Sequence, residues 1–221
     1  MKFKLQSYGE RGILVRELDE ERRWRLIAAA EQCPPQGLAE YVPGYNTLLF
    51  YFKERYGFEH LEEWLGLHDV GSAGGGARLK GRSLRRIPVC YDGPDLEFVA
   101  RVTGLRPEEV IQQHCTPVYT VRMIGFSPGF PYLEGLSPRL HLPRRDEPRN
   151  HIKPGSVAIG GPHAGIYSVA SPGGWHLLGR TNVRLFDPGV ACGSPATQAA
   201  ACLLQAGDQV RFEVVEKLGD A

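Results

Sequence analysis

Residues 125–181 read GFSPGFPYLEGLSPRLHLPRRDEPRNHIKPGSVAIGGPHAGIYSVASPGGWHLLGRT. Short apolar runs at Ser156–Ile159, Gly165–Val169 and His176–Thr181 are cut apart by glycine and proline. Tyr119–Ile124 before them and Val210–Val215 after them have the same character. Short strands at this spacing predict a closed or nearly closed β-barrel. Working back, Arg85–Tyr91 opens this unit as a strand, and Asp95–Thr103 and Pro107–His114 are helices. Pro107 suits a first helical position, and Glu108 and Glu109 suit the first turn.

Before the barrel lies Gly71–Ala77, GSAGGGA, a flexible linker by composition. A short basic patch, Arg78 to Arg86, follows and reads as solvated. Residues 1–70 predict a small α+β domain, 71–84 the linker, and 85–221 the barrel. In the first domain, Lys2–Ser7 and Gly12–Glu17 alternate apolar and polar residues around a turn at Tyr8–Arg11. Asp19 is the expected N-cap of a helix carrying Trp24, Leu26, Ile27, Ala29 and Ala30, and Pro34-Pro35 ends it. Leu38–Val42 and Thr47–Phe52 form a second strand pair, and Leu61, Trp64 and Leu65 mark a second helix. The expectation is a ferredoxin-like sheet with helices on one face.

Net charge is +1, which gives no electrostatic reason to expect nucleic acid or an anionic membrane as partner. No apolar run approaches the roughly 20 residues of a membrane span. The first residues lack the apolar core of a signal peptide, so a cytoplasmic location is expected. The cysteines number 5, an odd count without a C-x-x-C pair, so each reads as a small buried hydrophobe. No H-x-H or H-x-x-x-H spacing points to a metal.

Two motif matches fail on chemistry. Gly125-Phe-Ser127-Pro128-Gly129 has the G-x-S-x-G pattern of a nucleophile elbow. That mechanism needs a backbone N–H after the serine and a following helix, and Pro128 supplies neither. Gly76–Ser83 resembles a phosphate-binding loop. It lacks the strand before it and the helix after it that would aim N–H groups at phosphate.

What survives lies between Gly125 and Thr181. Arg144, Arg145, Arg149 and Lys153 are concentrated in one proline-bounded loop, and arginine offers a planar fork for carboxylate or phosphate. His151, His163 and His176 are near in sequence, and histidine transfers protons near neutral pH. Phe126, Phe130, Tyr132, Tyr167 and Trp175 are candidate pocket walls. The structural alternative is that the arginines are solvated or paired with Asp146 and Glu147, and that the rings are core.

The same stretch resembles the 5-oxoprolinase B-subunit family, also labelled KipI-like or allophanate hydrolase subunit 1. The resemblance rests on GFSPGFPYL (125–133), PRRDEPR (143–149), PGSV (154–157), GIY (165–167) and SPGGWHLLGRT (171–181). It extends to YGERGILV (8–15), VPGYNTL (42–48), IPVCY (87–91), TGLRPEEV (103–110), RLFDP (184–188) and GDQVRF (207–212). It implies a small α+β domain followed by a cyclophilin-like β-barrel. It implies a heteromer with a C-type subunit, itself a cyclophilin-like barrel protein, and an A-type subunit, which together open 5-oxoproline to glutamate with ATP. On this resemblance His163 and His176 are the proton-transfer candidates. Tyr132, Arg144, Arg145, Arg149, Lys153, Tyr167, Ser171, Trp175 and Arg180 are candidates for binding substrate or nucleotide. Other relatives imply two alternatives: inhibition of a sensor histidine kinase, and a carboxyltransferase component acting on urea. One departure stands out. Many family members carry Asn-Gln-Thr where this chain has Pro162-His163-Ala164, so either His163 substitutes or the substrate differs.

Overall fold

A computed structural model describes residues 3–69, 84–190 and 200–219. The chain divides into two compact units, residues 1–81 and 82–221. Residues 71–83 of the expected 71–84 linker and most of the basic patch lie outside the described residues.

The first unit runs β1 (Lys4–Tyr8), β2 (Gly12–Arg16), α1 (Glu20–Gln32), β3 (Leu38–Pro43), β4 (Leu48–Phe52) and α2 (Phe58–Asp69). Asp19 caps α1 as expected, its carboxylate accepting from the Arg22 N–H at 2.8 Å. The strands form one sheet in the order β1-β2-β4-β3, with every neighbouring pair antiparallel. Ile13 and Val15 of β2 and Leu48, Phe50 and Phe52 of β4 alternate onto one face. There they share a core with Leu26 and Ile27 of α1 and Leu61 and Leu65 of α2. The helices therefore cover one face, as the pattern predicts. The connectivity is ββαββα, not the βαββαβ of a ferredoxin-like fold. Both strand pairs are tight hairpins, so no helix crosses between parallel strands.

The second unit runs β5 (Leu84–Val89), α3 (Leu96–Thr103), α4 (Pro107–Cys115), β6 (Tyr119–Ile124), β7 (Pro131–Glu134), β8 (Arg149–Ile152), β9 (Ser156–Gly160), β10 (His163–Ile166), β11 (Ser171–Gly173), β12 (His176–Arg180) and β13 (Gln209–Val214). Seven strands form one sheet in the order β12-β9-β10-β7-β6-β13-β5, and β8 pairs with β11 separately. The large sheet nearly closes on itself. Past the end of β5, Cys90 and Arg180 exchange backbone hydrogen bonds of 2.9 and 2.8 Å, which joins the two outer strands. Gly179 permits this seam, because a Cβ there would stand 2.3 Å from the Cys90 carbonyl oxygen. The barrel core holds Val121, Leu133, Val157, Ile159, Ile166 and Leu178, and Val99 of α3 and Val110 of α4 pack into it.

The sequence reading misses β7, β8 and β11 and places β10 two residues late. Each missed strand has at most four residues and either starts at or contains proline or lies in the cationic loop, so no alternation is long enough to register.

Candidate functional site

The motif-rich segment builds a second apolar cluster outside the barrel core. Trp175 and Leu177 lie in it together with Phe130, Ile152, Ala158 and Tyr167, and Tyr132 packs against it. The rings meet edge to face: Phe130 stands 5.3 Å from Trp175 and 5.2 Å from Tyr167, and Tyr132 stands 5.6 Å from Trp175. Two glycines make room for the indole. A Cβ at Gly160 or Gly165 would come within 2.7 or 2.9 Å of the Trp175 ring.

The arginine loop is fastened to this cluster by a residue the sequence reading overlooks. Asp95 precedes α3 and is buried, and its carboxylate does not cap the helix. Instead Oδ1 accepts from Arg149 Nη2 at 2.8 Å and Arg145 Nη1 at 3.1 Å, and Oδ2 accepts from the Leu177 N–H at 2.7 Å. Burial raises the carboxyl pKa, but the Arg149 bond, the Leu177 N–H and the two guanidinium charges together hold it below the ordinary value. Arg145 and Arg149 are thus ion-paired with Asp95, and Arg145 Nε reaches the Glu147 backbone carbonyl at 3.4 Å rather than its carboxylate. Nothing local distinguishes Asp95 from an ordinary helix cap, because its partners lie 50, 54 and 82 residues away.

Arg144 is exposed, with its guanidinium carbon 5.9 Å from the Trp175 ring centroid. The Arg145 N–H donates to the Gly174 carbonyl at 2.7 Å, which brings the loop alongside the indole. Arg149 Nη1, Ser171 Oγ and His176 Nδ1 are buried polar atoms without a hydrogen-bond partner among the described residues. Such groups are rare in folded proteins and mark places where a ligand or water is expected.

His176 sits in β12 with Nε2 at 2.9 Å from the Pro143 carbonyl oxygen. A carbonyl only accepts, so Nε2 carries the proton. Its ring stacks on Phe98 at 5.3 Å, beside a cleft of about 380 Å³ lined by Phe98, Val102, Arg144, Arg145 and Glu147 among others. His163 pairs across the sheet with Glu134, whose carboxylate accepts from Arg122 at 3.0 Å, and its ring stands 6.0 Å from Tyr132. Burial pushes the His163 pKa down, and Glu134 only partly offsets this, so the ring is neutral at pH 7.

One of the expected residues, Arg180, has its partner elsewhere: it is bonded to Asp92 at 2.8 Å by the barrel seam. Lys153 is exposed, and its carbonyl anchors the turn into β9 by accepting from Ser156 Oγ at 2.8 Å. Ser127 lies in a turn that leads into strand β7, not a helix, so the nucleophile-elbow geometry is absent there. Among the described residues no group of three or more His, Cys, Asp or Glu is placed to hold a metal ion. No described helix is long and apolar enough to cross a membrane.

Residues 3–195 match the family "Carboxyltransferase domain, subdomain C and D". The 5-oxoprolinase B subunit of Bacillus subtilis (strain 168) is 35% identical over 235 residues, covering 96% of this chain and 92% of that protein. The 5-oxoprolinase B subunit of Escherichia coli O157:H7 is 37% identical, covering 87% of this chain and 84% of that one. The crystal structure of TTHA0988 superposes with a TM-score of 0.75 at 37% identity and covers 94% of this chain, which spans 40% of the TTHA0988 chain. This chain belongs to the 5-oxoprolinase B-subunit family of carboxyltransferase-type domains.

Proposed function

We propose that this chain is the B subunit of an ATP-dependent 5-oxoprolinase, acting with a C-type barrel subunit and an A-type subunit to open 5-oxo-L-proline to L-glutamate. One observation supports the reading: Asp95 fixes the Arg145–Arg149 loop beside the Trp175–Tyr167 cluster, and Arg144 of that loop stays exposed near the indole. A cyclic amide bearing a carboxylate asks for an apolar surface, a cation and oriented N–H donors.

Amide resonance makes the lactam carbonyl a poor electrophile. ATP, when bound, supplies the phosphoryl group that activates the lactam oxygen. Arg144 and Lys153 fit phosphoryl oxygens, being cationic and exposed on the same loop and its adjoining strand. Arg149, held by Asp95, adds positive charge behind the loop. His176 Nδ1 has a lone pair able to accept a proton, and neutral His163 is the second proton-transfer group. Half-buried Tyr132 offers ring surface to the substrate, and the buried Tyr167 and Trp175 support it from behind. Arg180 contributes through the seam that positions β12.

The test is reconstitution with both partner proteins, ATP and 5-oxo-L-proline, measuring glutamate. Glutamate formation is the expected result, and its absence sinks the proposal. The family description favours one second reading, a carboxyltransferase component. That reading requires a biotinylated carrier, so turnover in its absence separates the two.

A further inference from the structure

The cleft beside His176 has a volume of about 380 Å³ and is bounded by two elements. On one side stand Phe98 and Val102, one turn apart on α3 and 38% and 52% exposed. On the other runs the loop from Leu142 to Glu147. Helix residues that serve only the fold turn inward, as Val99 and Ala100 do here. Phe98 and Val102 instead form an apolar wall open to solvent. The wall is held in place from behind. The Phe98 ring stacks on His176 at 5.3 Å with 19° between the planes, and His176 Nε2 is tied to the Pro143 carbonyl.

The loop brings charge that the fold leaves unneutralised. Arg145 is occupied by Asp95. Arg144, Asp146 and Glu147 are exposed, and among the described residues none of the three side chains has an ion-pair partner. One concave surface thus offers an apolar wall, a free cation and two carboxylates that accept hydrogen bonds. A ligand that matches all three carries a flat apolar body, an anion and N–H donors. The cleft is larger than a five-membered lactam fills and suits a ligand of nucleotide size. The base of a purine nucleotide packs on Phe98 and Val102, its exocyclic amine donates to Asp146 or Glu147, and phosphate meets Arg144. Arg144 also gives the phosphate chain a direction. Its guanidinium carbon lies 5.9 Å from the Trp175 ring centroid, so one side chain joins the cleft to the aromatic cluster.

We infer that this cleft binds a purine nucleoside triphosphate, with the base on Phe98 and Val102 and a phosphate on Arg144. The inference rests on the ATP-dependent reading above and adds that this chain, at this cleft, holds the nucleotide. Titration calorimetry of the full chain, alone and mixed with the C-type subunit, measures affinity for ATP with magnesium, for adenosine and for inorganic tripolyphosphate. ATP is expected to bind in at least one of the two samples, with adenosine competing for the same site. Phe98→Ala weakens ATP binding about tenfold, the size of a lost base–aromatic contact, and Phe98→Tyr restores most of it. Val102→Glu, at an exposed position, weakens ATP and adenosine while Tm stays within about 2 °C of wild type, which separates lost binding from lost folding. Arg144→Ala weakens ATP and tripolyphosphate and leaves adenosine unchanged. ATP binding that is indifferent to Phe98→Ala and Val102→Glu, or no ATP binding in either sample, overturns the inference whatever the three-protein mixture makes. A mixture that makes no glutamate although ATP binds at this cleft overturns only the reading beneath it.

Discussion

Removing the Asp95 carboxylate tests whether the arginine loop is held as described. Asp95→Ala deletes two bonds to arginine, of 2.8 and 3.1 Å, and strands the Leu177 N–H that it held at 2.7 Å. Taking one partner out of a buried ion pair costs about 3–5 kcal/mol. Arg145 and Arg149 keep 32% and 25% of their side-chain surface, so water recovers part of this. The expected loss is about 3 kcal/mol, or about 10 °C in the Tm of a unit of this size. Asp95→Asn keeps an acceptor but not the charge and loses about half as much. The pH dependence has a definite sign. The carboxyl pKa is lowered in the folded protein, so its contribution is complete above the unfolded value of 3.8 and disappears as pH falls through the folded value. The advantage of wild type over Asp95→Asn therefore shrinks below pH 3.8. Calorimetry across pH 3–7 reads both effects. An Asp95→Ala protein melting within about 2 °C of wild type refutes the tether.

Other outcomes follow from the same geometry. His114 is fully buried, its Nδ1 and the Tyr91 hydroxyl share a hydrogen bond of 2.7 Å, and desolvation pushes its pKa down to about 3. The unfolded chain takes up that proton below pH 6.5 and the folded chain does not, so His114 alone makes stability fall by about 1.4 kcal/mol per pH unit between 6.5 and 3; urea midpoints at several pH values show whether His114→Phe removes this slope. Gly160→Ala drives a methyl group to within 2.7 Å of the Trp175 ring, and a loss of about 1–3 kcal/mol with altered tryptophan fluorescence is expected. Arg144 is exposed above Trp175, so Arg144→Ala leaves stability within about 0.5 kcal/mol of wild type while ring-opening kcat/KM falls about 100-fold. An Arg144→Ala protein that melts normally and turns over normally removes that side chain from the site.

The legible part of the fold is the part governed by local rules. Asp19, the hairpin at Pro43–Asn46 and the periodicity of Ile13, Val15, Leu48 and Phe50 place the first unit's elements without any tertiary knowledge. The element order, strand pair, helix, strand pair, helix, is legible as well, and the ferredoxin-like expectation fails because that fold needs a helix crossing between strands where this chain has hairpins. In the second unit the longer strands show their alternation, while β7, β8 and β11 are too short to show any. The candidate site divides the same way. Composition finds the arginine loop and the aromatic residues, because clustering is visible along the chain. Asp95 is hidden because its meaning depends on Arg149 and Leu177, which only folding brings to it. Arg180 looks like part of the cationic cluster in sequence, but β12 carries it to Asp92 at the seam. Phe126 is a plain aromatic in sequence, and only the fold shows that its ring is exposed.

Leaving this chain alone out of the reaction is the sharpest test of its role. A mixture of the C-type and A-type subunits with ATP and 5-oxo-L-proline is expected to make no glutamate until this chain is added. Glutamate and phosphate then appear in equal amounts, and the rate falls steeply when the added chain carries Arg149→Ala. Equal glutamate production with and without this chain would contradict the proposed role.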